Sequence, residues 1–458
     1  MTTRELAKEA RRERSLNRAR RRVLIRELYK SSRVHAGLLI LTLALTGFGM
    51  IMMFSTSIGI ASTQRGESTY FLMRQMISAL IGLCLMFVVT RIPSSSLSRP
   101  WLASILWIVS LGLLVLVRSH GILINGARRW LPLPGVGLNF QPSELSKVIV
   151  IYCLAVYYAR LNGRHKRKNS RSAHRRPFFK SGWTDVVVPF FIGLIPCLIL
   201  VMQPHLSAFL IIMFLTVLIM VTSGVGWRSW LAGGLILLMF IGIALGGFLI
   251  YAQAKPEVMD MFDRFAHVAR RIAIFTESDS VTEDDSYQVI QARLAIGSGG
   301  LTGVGLGRSR QKFNYLPEGH TDYVFAIICE ETGFIGGTLL ILAFLIFLVL
   351  GVGIALRATS TFGRAAAFGY TLLIVIQAFF SIAVNLGVFP PTGITLPFFS
   401  YGGTSTLFFL TAVGMVLNIS RFDAYYLPLR REESETDDLI AGEVVGPTMR
   451  EKTAGEVI

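Results

Sequence analysis

Long runs of uncharged, mostly apolar residues constrain the fold of this chain more than any other feature. Charged residues make up only 16% of it, against about 25% in soluble domains. The five longest runs approach or reach the roughly 20 residues that a helix needs to cross a bilayer. They are Ala36 to Phe54, Trp101 to Val117, Trp230 to Tyr251, Ala365 to Val388 and Leu396 to Ile419. Weaker runs are Met76 to Thr90, Val148 to Tyr158, Val186 to Met202, Leu206 to Val221 and Phe334 to Leu356. The sequence therefore predicts an all-α polytopic integral membrane protein with about ten transmembrane helices.

The positive charge of the chain is confined to two segments. Its formal net charge is +17, a value that can indicate a nucleic-acid partner. However, residues 1–34 hold 12 Lys/Arg and 4 Asp/Glu, and residues 160–182 hold 9 Lys/Arg and no acid. Both segments flank predicted spans, so the positive-inside rule places them in the cytoplasm and no nucleic-acid partner is expected. Both termini are then cytoplasmic, and the large loop at about 253–321, between spans seven and eight, is extracytoplasmic.

The chain divides into three parts. Residues 1–34 form a basic cytoplasmic tail, which either lies on anionic lipid or only sets the topology. Residues 35–420 form the membrane domain, whose first apolar run is longer than a signal-peptide core and is interpreted as a signal anchor. Residues 421–458 are polar and acidic, and a disordered cytoplasmic tail is expected. The four cysteines have no paired spacing, so we interpret them as packing residues rather than disulfide partners or zinc ligands.

Two segments on the predicted outer side are too polar for spans and too rich in apolar, Gly and Pro residues for ordinary linkers. The first runs from Asn125 to Lys147, and the second from about Ser286 to Gly333. Irregular backbone near membrane depth is tolerated where it is buried in protein or lines a cavity. We therefore expect a cavity that opens to the outer face of the membrane.

The first outer segment carries charged residues at the membrane edge. Arg128 and Arg129 precede Trp130, a combination that suits a phosphate beside a sugar or apolar surface, although Arg and Trp are also common interfacial anchors. Glu144 and Lys147 are three residues apart and share one helix face. They form either a self-contained ion pair or part of a polar pathway, because charges in apolar surroundings normally face a partner or a path.

The second outer segment combines a short amphipathic helix around Gln291 with a glycine-rich turn. The glycines at 303, 305 and 307 superficially resemble a dinucleotide-binding loop, but no strand precedes them and the segment lies outside, so that interpretation is rejected. A backbone nest with Arg308, Arg310 and Lys312 is suited to an anionic head group. A tight turn without a ligand explains the same residues equally well.

Asp322 lies at a boundary between water and apolar sequence. Thr321 is placed to cap a helix that begins at Asp322. Partial desolvation raises the proton affinity of a carboxylate and suits it to general-base chemistry, whereas a helix amino terminus lowers it. The local sequence leaves both interpretations open: a catalytic base, or simply a favourable charge in a first helical turn.

Several motifs together carry a specific resemblance: NGARRW followed by QPSELSK, then YQVIQARLAIGSGGLTGVGLG, LPEGHTDYVFAIICEETG and PPTGITLPFFSYGGTS. Over about residues 35–420 the chain resembles the FtsW/RodA family of shape, elongation, division and sporulation (SEDS) proteins. It is most similar to the division and sporulation branch. The resemblance implies an inverting peptidoglycan glycosyltransferase that polymerises lipid II and releases undecaprenyl pyrophosphate outside the cytoplasmic membrane.

The same resemblance assigns expected roles to individual residues. Asp322 matches the family's essential acidic residue and is expected to deprotonate the acceptor sugar hydroxyl. Cationic stabilisation of the leaving group is expected from Arg128, Arg129 and Lys147, and contact with sugar or lipid from Trp130. The other expected substrate-binding residues lie in the matched motifs: Gln141, Glu144, Gln291, Glu318, His320 and Ser400.

The resemblance also implies a place at the division septum of a bacterial cell membrane. The implied partners are a class B penicillin-binding protein, which is a transpeptidase, and other divisome proteins. The sequence departs from common family patterns at two places. QPHLSA, with His205 and Ser207, stands where many members have QPDLGT, so no carboxylate is available there. Thr392 stands where some members carry Lys, so no cation is available at that position to bind phosphate.

Two other functions stay open from the sequence alone. Membrane-embedded Glu144, Lys147, Glu330 and Glu331 are compatible with a lipid II flippase, for which discontinuous spans along a continuous polar path are expected. A non-catalytic scaffold for the transpeptidase is the second. No cofactor is specified. Whether Mg²⁺ or Mn²⁺ assists pyrophosphate departure also stays open, because the carboxylates of the second outer segment have no spacing that defines a closed site.

Overall fold

The computed structural model describes residues 34–124, 127–133, 138–167, 177–203, 205–254, 283–313, 315–391 and 393–423, which are mostly helical. In chain order the helices are α1 (Ala36–Arg65), α2 (Tyr70–Arg91), α3 (Pro100–His120), α4 (Pro142–Arg167), α5 (Phe178–Val201), α6 (Leu206–Thr222), α7 (Trp227–Ala254), α8 (Glu283–Ser298), α9 (Val324–Arg357), α10 (Thr361–Asn385) and α11 (Ser405–Phe422). A short helical turn, Ser94–Leu97, connects α2 to α3. One π-helical turn, Trp183–Val187, lies within α5.

The predicted class of polytopic helical membrane protein is confirmed. Among the described residues, 8 helices are long and apolar enough to cross a membrane: α1, α2, α3, α5, α7, α9, α10 and α11. Helix α6 is apolar but has only 17 residues, and α4 has 26 residues but begins with the charged outer segment. Every predicted apolar run overlaps one of these helices. The total of about ten spans and the cytoplasmic placement of both termini stay predictions.

Two of the predicted spans differ most from the structure in where they begin. The run predicted from residue 396 becomes helical only at Ser405, because a proline, two glycines and a left-handed residue, Phe398 with φ 69°, interrupt the helix before it. Helix α9 begins earlier than predicted, at Val324, and bends at Gly333, whose φ is 71° and ψ −170°. A residue with a Cβ would be strained in that conformation.

A three-stranded antiparallel sheet between α3 and α4 is absent from the all-α prediction. Strand β1 (Ile122–Ile124) pairs with β2 (Ala127–Leu133), and β2 pairs with β3 (Leu138–Phe140). The sequence contains turn dipeptides, Asn-Gly at 125–126 and Pro-Gly at 134–135, between short β-prone runs. Strand β2 carries Arg129 and Trp130 beside the start of α4.

Helices α10 and α11 lie at the centre of the bundle, and α7 at its edge. In their membrane-length stretches 67% of α10 and 83% of α11 is buried, against 17% of α7. Helix α11 approaches α2 so closely that a Cβ added at Gly414 would lie 2.8 Å from the Met86 backbone, and one at Gly82 2.9 Å from the Leu407 Cα. Small residues stabilise membrane helix pairs by permitting this approach. Large apolar side chains remain on the outer surface, where they face lipid.

Several predictions fall on residues outside the described ranges. These include most of both tails, residues 255–282 of the predicted outer loop, and Thr392. Within the rest of that loop, α8 contains the predicted amphipathic segment. The four cysteines are free thiols. Cys153, Cys197 and Cys329 are buried as predicted, whereas Cys84 is exposed on α2, so its interpretation as a packing residue is wrong.

Candidate active site

A cavity of about 640 Å³ lies where the two predicted outer segments meet the ends of the central helices. Its walls come from β2, β3, the start of α4, the start of α6, residues 316–322 and residues 393–403. Most of the site residues expected from the sequence line it: Arg129, Trp130, Gln141, Glu144, Lys147, Glu318, His320 and Asp322. The predicted cavity is therefore present in the structure, and it brings together segments far apart in the chain.

An ion pair on α4 forms one wall of the cavity. Lys147 Nζ donates to Glu144 Oε1 at 2.7 Å and to Gln377 Oε1 on α10 at 2.6 Å. Lys147 is 2% exposed and Glu144 is 5% exposed, so both charges are desolvated. The second carboxylate oxygen, Glu144 Oε2, is buried and has no hydrogen-bond partner within the described part of the chain. A substrate donor in the cavity would satisfy this oxygen, whose burial is otherwise costly.

Gln377 extends the polar chain to the segment that precedes α11. Its Nε2 donates to Thr395 Oγ1 at 3.2 Å, and both side chains line the cavity. Neither residue is among those predicted from the sequence. Gln377 was detectable in principle, because a polar amide inside an apolar run is uncommon and marks a partner or a pathway. Its partner, Lys147, could not be predicted from the sequence, because it is 230 residues away in the chain.

His205 caps α6 at the place where many family members carry a carboxylate. Its Nδ1 accepts the Ala208 N–H at 3.3 Å, which is the contact that an N-cap side chain makes. Its Nε2 lies 3.1 Å from the side-chain amide nitrogen of Gln141. The departure from the common motif therefore keeps an acceptor for the helix terminus but removes a negative charge from the cavity wall.

Asp322 lies in a tight turn immediately before α9. The Asp322 N–H donates to the Glu318 carbonyl at 3.0 Å, and Glu318 has a left-handed φ of 55°. The Thr321 hydroxyl donates to Glu318 Oε2 at 2.6 Å rather than capping a helix. Because the helix begins only at Val324, the predicted Thr321 cap is wrong and Asp322 lies outside the first helical turn.

A buried asparagine fixes the main chain on both sides of this turn. Asn385, at the end of α10, donates from Nδ2 to the Asp322 carbonyl at 2.9 Å and accepts at Oδ1 from the Ala326 N–H at 3.0 Å. Gly393 approaches the carboxylate from the opposite segment: a Cβ added there would lie 3.4 Å from Asp322 Oδ2. The Asp322 carboxylate is therefore held on the cavity wall by a rigid backbone.

His320 lies between two aromatic rings beside the same turn. Its ring is 4.9 Å from Phe71 and stacks on Tyr401 at 6.0 Å. Burial lowers the pKa of His320 below its ordinary value of 6.5, and the nearby Glu318 charge only partly opposes this. The ring is consequently neutral at pH 7, and it supplies an aromatic and hydrogen-bonding surface rather than a cation.

Three of the expected substrate-binding residues do not line the cavity. Arg128 is exposed and donates to the Ser119 carbonyl at 3.2 Å. Gln291 lies on α8, outside the lining. Ser400 is buried, and its Oγ accepts the Leu396 N–H at 2.7 Å, which stabilises the turn before α11. These positions favour structural or peripheral roles for all three.

A separate buried network holds the glycine-rich turn. Lys312 Nζ donates to Glu331 Oε1 at 3.0 Å and to Ser55 Oγ at 3.2 Å, and Lys312 is 2% exposed. Glu330 accepts from the Arg310 N–H at 2.8 Å and from the Ser309 hydroxyl. Lys312 is thus committed within the protein, which corrects its proposed place in an anionic nest. Neither glutamate lines the cavity.

The described residues include no cluster of three or more His, Cys, Asp or Glu side chains that would hold a metal ion. Glu318 and Asp322 are the carboxylates at the turn that lines the cavity. A Mg²⁺ or Mn²⁺ ion there would need oxygen ligands from phosphate groups and water in addition, which is a common arrangement for Mg²⁺.

Comparison with known proteins shows the family of this chain. The sequence model of the family of FtsW, RodA and SpoVE cell cycle proteins matches residues 36–425. The chain belongs to this family. A probable peptidoglycan glycosyltransferase FtsW from Trichlorobacter lovleyi is 36% identical over 399 residues, which cover 87% of this chain and 96% of the relative. Stage V sporulation protein E from Bacillus subtilis is 38% identical over 391 residues, covering 85% and 97%.

Solved structures of FtsW/RodA proteins share the fold. A chain from a structure of a peptidoglycan synthase complex that coordinates polymerization and crosslinking has a TM-score of 0.62 and 28% identity, covering 85% of this chain and 98% of that one. Thermus thermophilus RodA, a rod shape determining protein, has a TM-score of 0.56 and 27% identity, covering 85% and 97%. The family resemblance seen in the motifs is confirmed.

Proposed function

We propose that this protein is a peptidoglycan glycosyltransferase that polymerises lipid II at the outer face of the cytoplasmic membrane. One observation carries the proposal: a carboxylate, Asp322, and two cations, Arg129 and Lys147, line one cavity between the outer segments. Glycosyl transfer from a lipid pyrophosphate needs a base for the acceptor and positive charge for the leaving group. The names of its relatives support the same activity.

In the proposed reaction Asp322 accepts the proton of the acceptor sugar hydroxyl. The hydroxyl oxygen attacks the anomeric carbon of the donor from the face opposite the pyrophosphate, so the new bond forms with inversion as the bond to pyrophosphate breaks. Arg129 and Lys147 stabilise the charge that develops on the departing pyrophosphate. Lys147 has three N–H donors, and Glu144 and Gln377 use two of them, which leaves one for a phosphate oxygen.

The remaining lining residues have complementary roles in this proposal. Glu144 Oε2, buried without a partner in the described part of the chain, accepts a hydrogen bond from a sugar or peptide N–H or O–H. Gln141, Glu318 and His320 offer further polar contacts. Trp130 lies beside Gly403, where its ring provides an apolar face for the sugar or lipid.

Purified protein supplied with lipid II tests the activity, with glycan products resolved on a gel. Asp322→Asn keeps the size of the side chain but removes the base, and we expect at least about a 100-fold loss of polymer. Glu67→Gln is the matched control, because Glu67 is an exposed carboxylate in the turn between α1 and α2, outside the cavity. Full activity of Asp322→Asn protein would refute the proposed base.

The flippase alternative has less support. Beyond Lys147, α4 presents a largely apolar, buried stretch in which Ile151, Leu154 and Ala155 are each 0% exposed. The bend inside α9, at Gly333, belongs to the separate network of Glu330 and Glu331. Polymer formation in detergent, where there is no second compartment, distinguishes a polymerase from a flippase. A scaffold would support cell division with Asp322→Asn, whereas a polymerase would not.

We further propose that the protein works at the division septum with a class B penicillin-binding protein and other divisome proteins. The similarity to a chain from a polymerization and crosslinking complex supports a transpeptidase partner. The relatives named FtsW support septal location. Co-purification with the cognate transpeptidase, and imaging of a fluorescent fusion in dividing cells, test these two points separately.

The need for a divalent cation is tested by turnover in the presence of a chelator. The residues that would contribute ligands are Asp322 and Glu318, with most of the coordination supplied by the substrate pyrophosphate and water. Unchanged turnover after removal of Mg²⁺ and Mn²⁺ would show that Arg129 and Lys147 suffice for the leaving group.

A further inference from the structure

A second cavity, of about 390 Å³, lies on the side of the bundle between α3, α4 and α5. Its volume falls within the roughly 300–1,000 Å³ that small-molecule sites usually have. The walls are largely apolar and include Ala103, Trp107, Ile108 and Val156. Ile108 is 63% exposed, so the cavity opens onto the surface of the bundle that faces lipid.

Three polar side chains in the walls donate hydrogen bonds within the protein. Trp107 Nε1 donates to the Ile192 carbonyl at 3.1 Å, Cys153 Sγ to the Ala103 carbonyl at 3.3 Å, and Tyr157 OH to the Thr184 carbonyl at 2.6 Å. These contacts leave hydrocarbon and ring faces directed into the cavity. Such a surface favours an alkyl chain over a polar ligand.

One end of the cavity is cationic. Arg160, near the carboxyl end of α4, is part of the lining and is exposed. It begins the segment 160–182, which contains 9 Lys/Arg and no acid and which the positive-inside rule places in the cytoplasm. The cavity therefore has an apolar body at membrane depth and a positive end at the predicted cytoplasmic surface.

We propose that this cavity binds an anionic phospholipid of the cytoplasmic leaflet. One acyl chain lies in the groove between α3 and α4, and the head-group phosphate contacts Arg160. The charge of the groove end selects an anionic lipid over a zwitterionic one, because each Lys or Arg near an anionic surface contributes to attraction. The site is distinct from the outer cavity, on the opposite side of the membrane in the predicted topology, and the proposal does not depend on the glycosyltransferase function.

Native mass spectrometry of the full chain, released from detergent after titration with single lipids, tests the proposal. The probes are dioleoyl phosphatidylglycerol, phosphatidylethanolamine and phosphatidylcholine. We expect wild-type protein to retain phosphatidylglycerol preferentially. Arg160→Gln should reduce that retention roughly three- to tenfold and abolish the preference between head groups. Arg357→Gln, which removes an exposed cation at the end of α9 outside the cavity lining, should retain the wild-type preference.

A second variant tests the acyl groove independently of charge. Ser104 lines the cavity and is exposed, so Ser104→Phe fills the groove without inserting a ring into a packed core. We expect it to lower retention of all three lipids while leaving the thermal unfolding midpoint unchanged. Unaltered lipid retention in Ser104→Phe protein, equal retention of phosphatidylcholine and phosphatidylglycerol by wild type, or a protein segment found in the groove by cross-linking would overturn the proposal.

Discussion

Replacing Lys147 by Met should destabilise the protein strongly, and a second substitution at Glu144 should restore most of the loss. Lys147→Met keeps the length and the apolar stem of the side chain but removes its charge. Glu144 would then be left 95% buried, since it is 5% exposed, with neither carboxylate oxygen paired to a cation. Gln377 Oε1 would lose the donor that lies 2.6 Å away.

The magnitude follows from this burial. Removing one partner of a buried ion pair costs about 3–5 kcal/mol, because the other charge remains desolvated without compensation. Replacing both charges by apolar residues of similar volume is often close to neutral. We therefore expect Lys147→Met to lower the free energy of unfolding by about 3 kcal/mol or more, and Lys147→Met with Glu144→Met to lie within about 1 kcal/mol of wild type.

Unfolding of the purified protein in mixed micelles, with increasing sodium dodecyl sulfate, measures these differences. The four proteins of the cycle, wild type, each single variant and the double variant, give the coupling energy of the pair directly. Polymerisation of lipid II by the same four proteins then separates structure from chemistry. A stable double variant without polymer indicates that at least one of Lys147 and Glu144 acts on the substrate, whereas a stable and active double variant indicates an ion pair with a structural role only.

Either of two results would refute the reasoning about burial. The first is a Lys147→Met protein as stable as wild type, which would mean that water reaches Glu144. The second is a double variant whose loss of stability equals the sum of the losses of the two single variants, which would mean that the two charges are not energetically coupled. The proposed polymerase would survive both results, since its base is Asp322.

Two further predictions concern the turn that carries the base. Gly393→Ala and Gly224→Ala both place a Cβ at positive φ, 66° and 78°, and each should cost about 1–2 kcal/mol. Only Gly393→Ala should also lower polymerisation severalfold, because its methyl group would lie 3.4 Å from Asp322 Oδ2, whereas Gly224 faces open space. Burial holds the pKa of His320 below 6.5, so the unfolded state binds more protons and stability should fall by up to about 1.4 kcal/mol per pH unit as pH drops below 6.5. His320→Phe should remove that slope in unfolding titrations, and replacement of exposed His120 by Gln should leave it in place.

The sequence was sufficient to predict the fold class, the outer cavity and most of its charged lining. Apolar runs identify helices because lipid requires every backbone polar group to be satisfied within the segment. A motif identified Asp322. The pair of Glu144 and Lys147 was predictable because these two residues lie three positions apart in the chain. The partner of Lys147 on α10 and the pairing of Lys312 with Glu331 depend on tertiary packing, which periodicity does not encode.

Boundaries and short strands were the weaker part of the prediction, for physical reasons. The sequence of the turn before α11 is as apolar as that of the helix that follows, so the two are not distinguished by composition. The irregular backbone of the turn is stabilised by Ser400 Oγ and by Gln75, which donates to the Ser400 carbonyl at 3.2 Å. Ser400 was selected for substrate because it belongs to a motif. Its burial shows that a residue within a functional motif can serve to hold the motif's backbone.

Helix α10 sets the relation between the proposed base and the proposed cation. Gln377 on this helix binds Lys147, and Asn385, eight residues further on, holds the main chain at Asp322. At about 1.5 Å per residue, the two contacts are about 12 Å apart along the helix axis. Because α10 is largely buried, that spacing is fixed by packing rather than by the outer loops. A donor with its pyrophosphate near Lys147 and an acceptor hydroxyl near Asp322 would thus be oriented by a single rigid element. Insertion of a single residue between 377 and 385 would rotate one contact by about 100° relative to the other and separate the base from the leaving group.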